Sequence, residues 1–450
     1  MGLISEIAEW TYGHEMQWSA QTHERALFGI ADTIGCIVAA ADHDVVQKVG
    51  NSFFRSEDGS AFNVFNSKVS CAQTAALING TAAHVLEIDD NFYPALTHAS
   101  AQAVPTLLAL AQEYQCSGRD ILNAYIQSIH IQAALASAMG RNHTLTGWHA
   151  TGTLATLASA AAGAKMVGLN PNEIGNAISI ACSMAASTKA QFGTETKSVH
   201  CGLSSKNSVC AVELAMAGLE GSEDAIDGNF GFFRLYNGTK DPELGKVLAY
   251  LHGSNALENS GLAPKRHACC GSAHKCLDAA EDLVIENGLE LEMISRIEAE
   301  VGITNRQNLR FDSPKDGLQA RFSLPYAMVV FLYSGKFWLN DLDDDAVLRP
   351  EIQAHLGKVK VSVLDVAESS IPIDQPVAHN IRIVLEDGRT YSARRAYAKG
   401  TLADPFSPKD YSHKFQLCCS ERLGSASTGA LWGRLMKLDD QKTANQLLLA

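Results

Sequence analysis

"RDILNAYIQSIHIQAALASAMG", residues 119–140, decides the fold class. Leu122, Tyr125, Ile126 and Ile129 recur three or four residues apart, the spacing of one helix face. Gly118 stands before the run and Gly140 after it, so both ends are punctuated. The remaining positions are rich in Ala and Ser, which lets a partner helix come close. The same pattern fills the flanking segments: "ERALFGIADTIGCIVAAA" (24–41), "SCAQTAALINGTAAHVLEI" (70–88), "ASAQAVPTLLALAQEY" (99–114) and "PNEIGNAISIACSMAAS" (171–187). Helices in such density, with so many small residues, predict a tightly packed bundle.

The pattern changes near residue 260. A helix is expected over roughly 271–287, followed by the alternating runs "SRIEAEVGIT", "GKVKVSVL" and "NIRIVLEDGRTYSARRAYAKG". The last contains Asp387-Gly388, a hairpin-turn signal. After about 405 the chain returns to helix in "TGALWGRLMKLDD". The expected fold is mainly α: an all-helical domain from residues 1–260 and 405–450, and a smaller α+β domain over 261–404.

Composition narrows the function classes. Apolar residues make up 46% and charged residues 19% of the 450, so the chain has a large interior to bury. A net charge of −13 argues against nucleic acid as a partner, since no basic phosphate-binding surface is available. The N-terminal stretch shows no basic segment ahead of an apolar core, and no apolar run reaches membrane-spanning length. The eleven cysteines are irregularly spaced and include no CxxC, as expected of reduced thiols. A cytoplasmic protein is expected, with neither membrane nor nucleic acid among its partners.

No dinucleotide, P-loop, zincin or nucleophile-elbow fingerprint is present. Polar islands between helices remain: "HVLEIDDNFYPALTH" (84–98), "TLTGWHATGT" (144–153), "FGTETKSVHCG" (192–202), "APKRHACCGSAH" (263–274) and "ARFSLPY" (320–326). Any one of these histidines or lysines has a plain structural or surface explanation, and paired cysteines are most often small buried residues. Repetition on inter-helix turns raises the functional reading. A metal is not expected, because "DDNFY" supplies no further acid in the next turn and Cys269, Cys270 and His274 lack a fourth ligand. Lys197, Lys265, His98 and His149 together suggest a cationic, proton-exchanging pocket for a small acid with several carboxylates. Cations crowded there would also depress a neighbouring lysine's or histidine's pKa, leaving it neutral enough to act as a base.

In this order the five islands resemble the MmgE/PrpD superfamily, whose members include 2-methylcitrate dehydratase, cis-aconitate decarboxylase and iminodisuccinate epimerase. The resemblance implies a large helical domain with a smaller α+β domain, usually a homodimer, and no metal or organic cofactor. It implies catalytic roles for Lys197, His149, Lys265 and Cys270, and substrate contacts from His98, Glu87, Asp90, Asn91, Tyr326 and Arg321. Glu87 and Asp90 are expected to orient the cationic groups, and Asp89 to be structural. Glu87, Asn91 and Cys270 depart from the animal decarboxylases, which carry Asp, Thr and His there. The expected activity is proton transfer at a carbon alpha to a carboxylate of a small polycarboxylic acid. An epimerase similar to iminodisuccinate epimerase is the first reading. A lyase of the decarboxylase or dehydratase kind is the alternative, and a non-catalytic polycarboxylate-binding protein the second.

Overall fold

A computed structural model describes residues 2–14, 17–238, 241–373 and 375–445. The N-terminal half is built from α1 (Leu3–Gly13), α2 (Ala20–Ala39), α3 (Asp44–Phe53), α4 (Ala72–Val85), α5 (Ala99–Glu113), α6 (Gly118–Met139), α7 (Asn142–Leu145), α8 (Leu154–Met166), α9 (Pro171–Met184) and α10 (Glu195–Met216). α6, which carries the opening stretch, begins with a reciprocal Ser117–Asp120 capping box and ends at Gly140 with positive φ. α9 opens on an Asn170–Glu173 capping box with Pro171 in its first turn.

One departure from an all-helical domain is a short antiparallel hairpin, β1 (Ala61–Asn63) and β2 (Lys68–Ser70). Three-residue strands lie below the length at which alternation stands out in a sequence. Asn79 of α4 fastens the hairpin, accepting from the Val64 amide and donating to the Phe62 carbonyl.

The closest seam in the bundle joins α4 and α10, which run antiparallel. A Cβ on Gly202 would lie 2.3 Å from the Leu77 carbonyl, and one on Gly80 would lie 2.8 Å from the Ser205 hydroxyl. Glycine on both sides lets the backbones touch, and this brings Lys197 at the start of α10 level with Glu87, two residues past α4. α5 and α8 join the seam through buried hydroxyls and an amide: Ser159 donates to Gln102, Gln102 donates to Ser208, and Thr156 pairs with Ser204.

After residue 260 a four-stranded sheet forms from β3 (Ile294–Val301), β4 (Val359–Val363), β5 (His379–Leu385) and β6 (Thr390–Arg395), in the order β4-β3-β5-β6. β3 and β4 are parallel and the other pairs antiparallel. Ile294, Ile297, Ala299 and Val301 alternate into the core with Ile381, Ile383 and Leu385, as the period of a strand requires. Helices His274–Asn287 and Leu324–Ser334 cover that face. The chain then returns to α2 through helix Pro408–Leu423, where Tyr411 stacks on Phe28 and Lys414 reaches Asp32 at 2.8 Å. All eleven cysteines are free. No single helix among the described residues is long and apolar enough to cross a membrane.

Candidate active site

α4 ends at Val85, where the carbonyl accepts 2.6 Å from the buried Arg321 guanidinium. A cation at a helix C-terminus satisfies carbonyls that no longer have a helical partner. Glu87 follows with φ +56°, a left-handed conformation that turns the chain sharply. Its carboxylate accepts from Lys197 of α10 and, at 2.8 Å, from Lys265. Lys265 also donates to Asp89 at 3.0 Å. Asp89 in turn accepts from His84 Nδ1 at 2.7 Å and lies 3.2 Å from His98 Nδ1, which donates to the Asp90 carbonyl at 2.9 Å. From below, Lys414 donates to the Ile88 carbonyl at 2.6 Å.

This cluster is buried and charge-matched, and its pKa directions follow. Burial works against the Glu87 charge, but Lys197 and Lys265 outweigh it and hold the carboxyl well below the usual range. Asp89 behaves likewise, with the charge of Lys265 and the hydrogen bond from His84 overcoming desolvation. Lys265 moves the other way from the sequence expectation. Burial opposes its charge, yet Asp89 and Glu87 hold its pKa above that of an ordinary lysine. It is a fixed cation, because two carboxylates reach it before any substrate can.

The histidines are neutral. Burial, reinforced by Lys197, lowers His84 to about 3 and His149 well below its ordinary value. Burial also lowers His98, against the pull of Asp89, and takes His200 to about 4. His149 Nδ1 and His200 Nδ1 share a hydrogen across 3.2 Å. The Nε2 atoms of His84 and His149 are buried without a hydrogen-bond partner. Ligand nitrogens of His84, His98 and His149 lie within 4.8 Å of one another, so among the described residues this trio has a spacing that could hold a metal. The sequence reading expects no metal and does not single out these three histidines as a ligand set.

Above the cluster lies a cavity of about 340 Å³, at the small end of ligand pockets. His98, His149, Lys197, Asn91 and Cys270 line it, with the rings of Phe92, Phe192 and Phe322. Lys197 sits 5.5 Å from the Phe192 ring centre and 5.4 Å from that of Phe322. Thus five of the residues expected from the sequence meet at one surface. Lys265 and Glu87 sit directly beneath, one salt bridge removed.

Three expectations are corrected. Asp90 does not orient the cations. Its carboxylate faces Ser100, accepting from the hydroxyl and, at 3.3 Å, from the amide, and burial raises its pKa to about 7. The orienting acid is its neighbour Asp89, because the turn at Glu87 points Asp89, not Asp90, at Lys265. Tyr326 does not reach the cavity; its hydroxyl donates 2.5 Å to the Asp341 carbonyl. Arg321 is likewise committed to the end of α4. Both sit beside Ser323, whose hydroxyl caps helix Leu324–Ser334, so "ARFSLPY" is largely a helix start. Its one residue on the cavity is Phe322.

The sequence reading missed Arg141, Lys189 and Lys275, which also line the cavity, and His84 and His200 behind it. Lys189 and Lys275 lie outside or late in the polar islands, and a lone lysine carries no periodic signal.

A family model for the MmgE/PrpD N-terminal domain matches residues 5–245, and one for the C-terminal domain matches 267–431. The chain belongs to the MmgE/PrpD family. Among its MmgE/PrpD relatives is the cis-aconitate decarboxylase of Homo sapiens, 30% identical over 383 residues, spanning 83% of this chain and 78% of the relative. The Mus musculus cis-aconitate decarboxylase is 29% identical over 384 residues, covering 83% and 77%. That of Aspergillus terreus is 24% identical over 443 residues, covering 92% and 89%. The mainly helical fold with a smaller α+β part is that of an MmgE/PrpD enzyme, and these relatives carry the name of a lyase.

Proposed function

We propose that this protein is a cofactor-independent lyase that decarboxylates cis-aconitate or a close tricarboxylate analogue. The observation that carries the reading is Lys197. Its ammonium, paired with Glu87, lines the cavity beside the neutral His98 and His149. The lyase names of the relatives favour this alternative over the epimerase that the sequence first suggested.

In cis-aconitate the carboxylate on the saturated carbon can leave as CO2. The electrons of the breaking carbon–carbon bond form a new double bond, and the old double-bond pair moves to the far carbon. Negative charge there spreads into the adjacent carboxylate, and one proton added to that carbon completes the product. The reaction therefore needs one acid and a fixed positive field, which is a smaller demand than two bases on opposite faces.

Lys197 supplies the proton and its charge stabilises the enolate-like carboxylate as it forms. Glu87 positions that ammonium. His98, with Nδ1 donating to the Asp90 carbonyl, offers Nε2 to the substrate. Phe92, Phe192 and Phe322 exclude water from the departing carboxylate, whose charge is more costly there before it leaves than while it is dispersing.

Proton NMR in D2O with cis-aconitate, alongside measured CO2, tests the reading. The expected result is a new terminal alkene, one deuterium in the product methylene and stoichiometric CO2. Unchanged cis-aconitate together with deuterium uptake and racemisation of iminodisuccinate would establish the epimerase instead. Tight binding of both acids without turnover would make this a binding protein. Pretreatment with a chelator is expected to leave the rate unchanged; loss restored by Zn²⁺ would assign a metal to His84, His98 and His149.

A further inference from the structure

Lys189 and Lys275 are buried lysines with no acid within salt-bridge distance among the described residues. Lys189 is 5% exposed, and among the described residues its ammonium donates to the Thr144 carbonyl at 3.4 Å and the Gln307 side-chain oxygen at 3.2 Å. Lys275 is 7% exposed; it donates 2.9 Å to the Val377 carbonyl and lies 5.8 Å from the Tyr93 ring centre. Neither forms a salt bridge among the described residues. A buried ammonium without a counter-ion is costly, because it has given up hydration for no opposite charge. Both line the same cavity, and retaining two there has a simple purpose if an anion arrives to pair with them.

The surroundings agree. Arg141 lines the same cavity and donates 2.5 Å to the Gln375 carbonyl, two residues from the Val377 carbonyl that accepts from Lys275. Among the described residues, no carboxylate lines the cavity at all. The charged and titratable groups felt by Lys189 are Cys270, Arg310 and Glu368; those felt by Lys275 are Arg141, Cys276 and Glu368. Burial lowers both lysines to about 8, a cost that an incoming carboxylate would reverse. Lys197 acts on His84, His149 and His200, and Lys265 and Lys197 on His98, whereas neither Lys189 nor Lys275 is among the groups that shift these rings.

We propose that Lys189, Lys275 and Arg141 form a second anion subsite that binds a carboxylate the reaction leaves intact, and so select tricarboxylates over dicarboxylates. This rests on the decarboxylase reading for its choice of substrate, but the subsite's existence can be measured without turnover. The Thr144 and Val377 carbonyls and the Gln307 side-chain oxygen accept from the two lysines while the cavity is open. A carboxylate gives a stronger, charge-assisted bond than a carbonyl and takes their place.

The test is calorimetric binding of two inert acids, propane-1,2,3-tricarboxylate and glutarate, which differ only in the central carboxylate. The intact protein is expected to bind the tricarboxylate roughly tenfold or more tightly. Lys189→Met and Lys275→Met should each remove most of that preference while leaving glutarate binding within about twofold, and Lys189→Arg should restore it. The tricarboxylate should also take up protons as it binds near pH 8, seen as a binding heat that varies with the buffer's ionisation enthalpy.

Equal affinity for the two acids in the intact protein overturns the subsite. So does a Lys→Met variant, melting like the parent, that keeps the full preference. The outcome is separable from the chemistry. Intact preference with cis-aconitate left unreacted discards the decarboxylase and keeps the subsite, whereas decarboxylation without the preference does the reverse.

Discussion

Two sets of buried lysines meet the same cavity and behave in opposite ways. Under the floor, Lys265 is clamped by Glu87 and Asp89, and its pKa is driven above the ordinary lysine value. In the cavity lining, Lys189 and Lys275 donate, among the described residues, to neutral oxygens, and fall to about 8. The residue type and burial are alike; the partner differs. A lysine clamped by two acids becomes scaffold, and one left without a salt bridge suits an incoming anion.

The contrast can be broken most severely at Lys197, which stands between the two sets. Lys197→Ala is expected to lower kcat on cis-aconitate by about 10²–10⁴-fold, with the fold intact by circular dichroism. Retention of the parental rate would remove Lys197 from the chemistry. Glu87→Gln attacks the paired set from the acid side. It leaves Lys197 and Lys265 short of a counter-charge, so denaturant unfolding should show a loss of about 3–5 kcal/mol.

Acid should undo the site gradually. Burial holds His84 at about 3 and His43, His130, His143 and His200 at about 4, below the ordinary 6.5. For groups depressed in the folded state, stability is complete above the unfolded pKa and falls as pH drops through the folded one. The melting temperature should therefore fall steadily from pH 7 toward pH 4, where the unfolded chain binds protons that the folded chain refuses. A flat profile over that interval would mean these rings are charged in the native state. Gly202→Ala tests the seam that aligns the paired set. Its methyl meets the Leu77 carbonyl and Thr81 hydroxyl, each 2.3 Å away, so about 1–3 kcal/mol of stability should be lost, with kcat reduced alongside. The smallest effect belongs to Tyr326→Phe, which deletes the bond to the Asp341 carbonyl. Roughly 0.5–1.5 kcal/mol of stability and no change in kcat are expected.

"HVLEIDDNFYPALTH" shows how far residue patterns reach. The stretch announced itself by composition, and Glu87, Asn91 and His98 are all at or beneath the cavity surface. Which of the adjacent acids serves the lysines was not legible, because Asp89 and Asp90 differ only in direction. That direction is set by the left-handed turn at Glu87, which local sequence does not announce. Arg321 and Tyr326 erred for a related reason: a polar residue near a motif looks the same whether it faces a ligand or a backbone carbonyl. Lys189 and Lys275 were passed over because nothing in their neighbourhood reveals burial without a partner.

The sequence by itself determined the helical spacing, the capped ends of α6 and α9, the alternating strands and their Asp387-Gly388 turn, and the family. Each is encoded within a few residues, where periodicity and caps act. Tertiary structure alone decided which charges pair. Lys197 meets Glu87 across 110 positions and Lys265 meets it across 178, because glycines let α4 and α10 touch and the chain folds back over their ends. The pKa of a lysine depends on what lies within a few ångströms of its nitrogen, and for these residues that is fixed by packing rather than by neighbours in the chain.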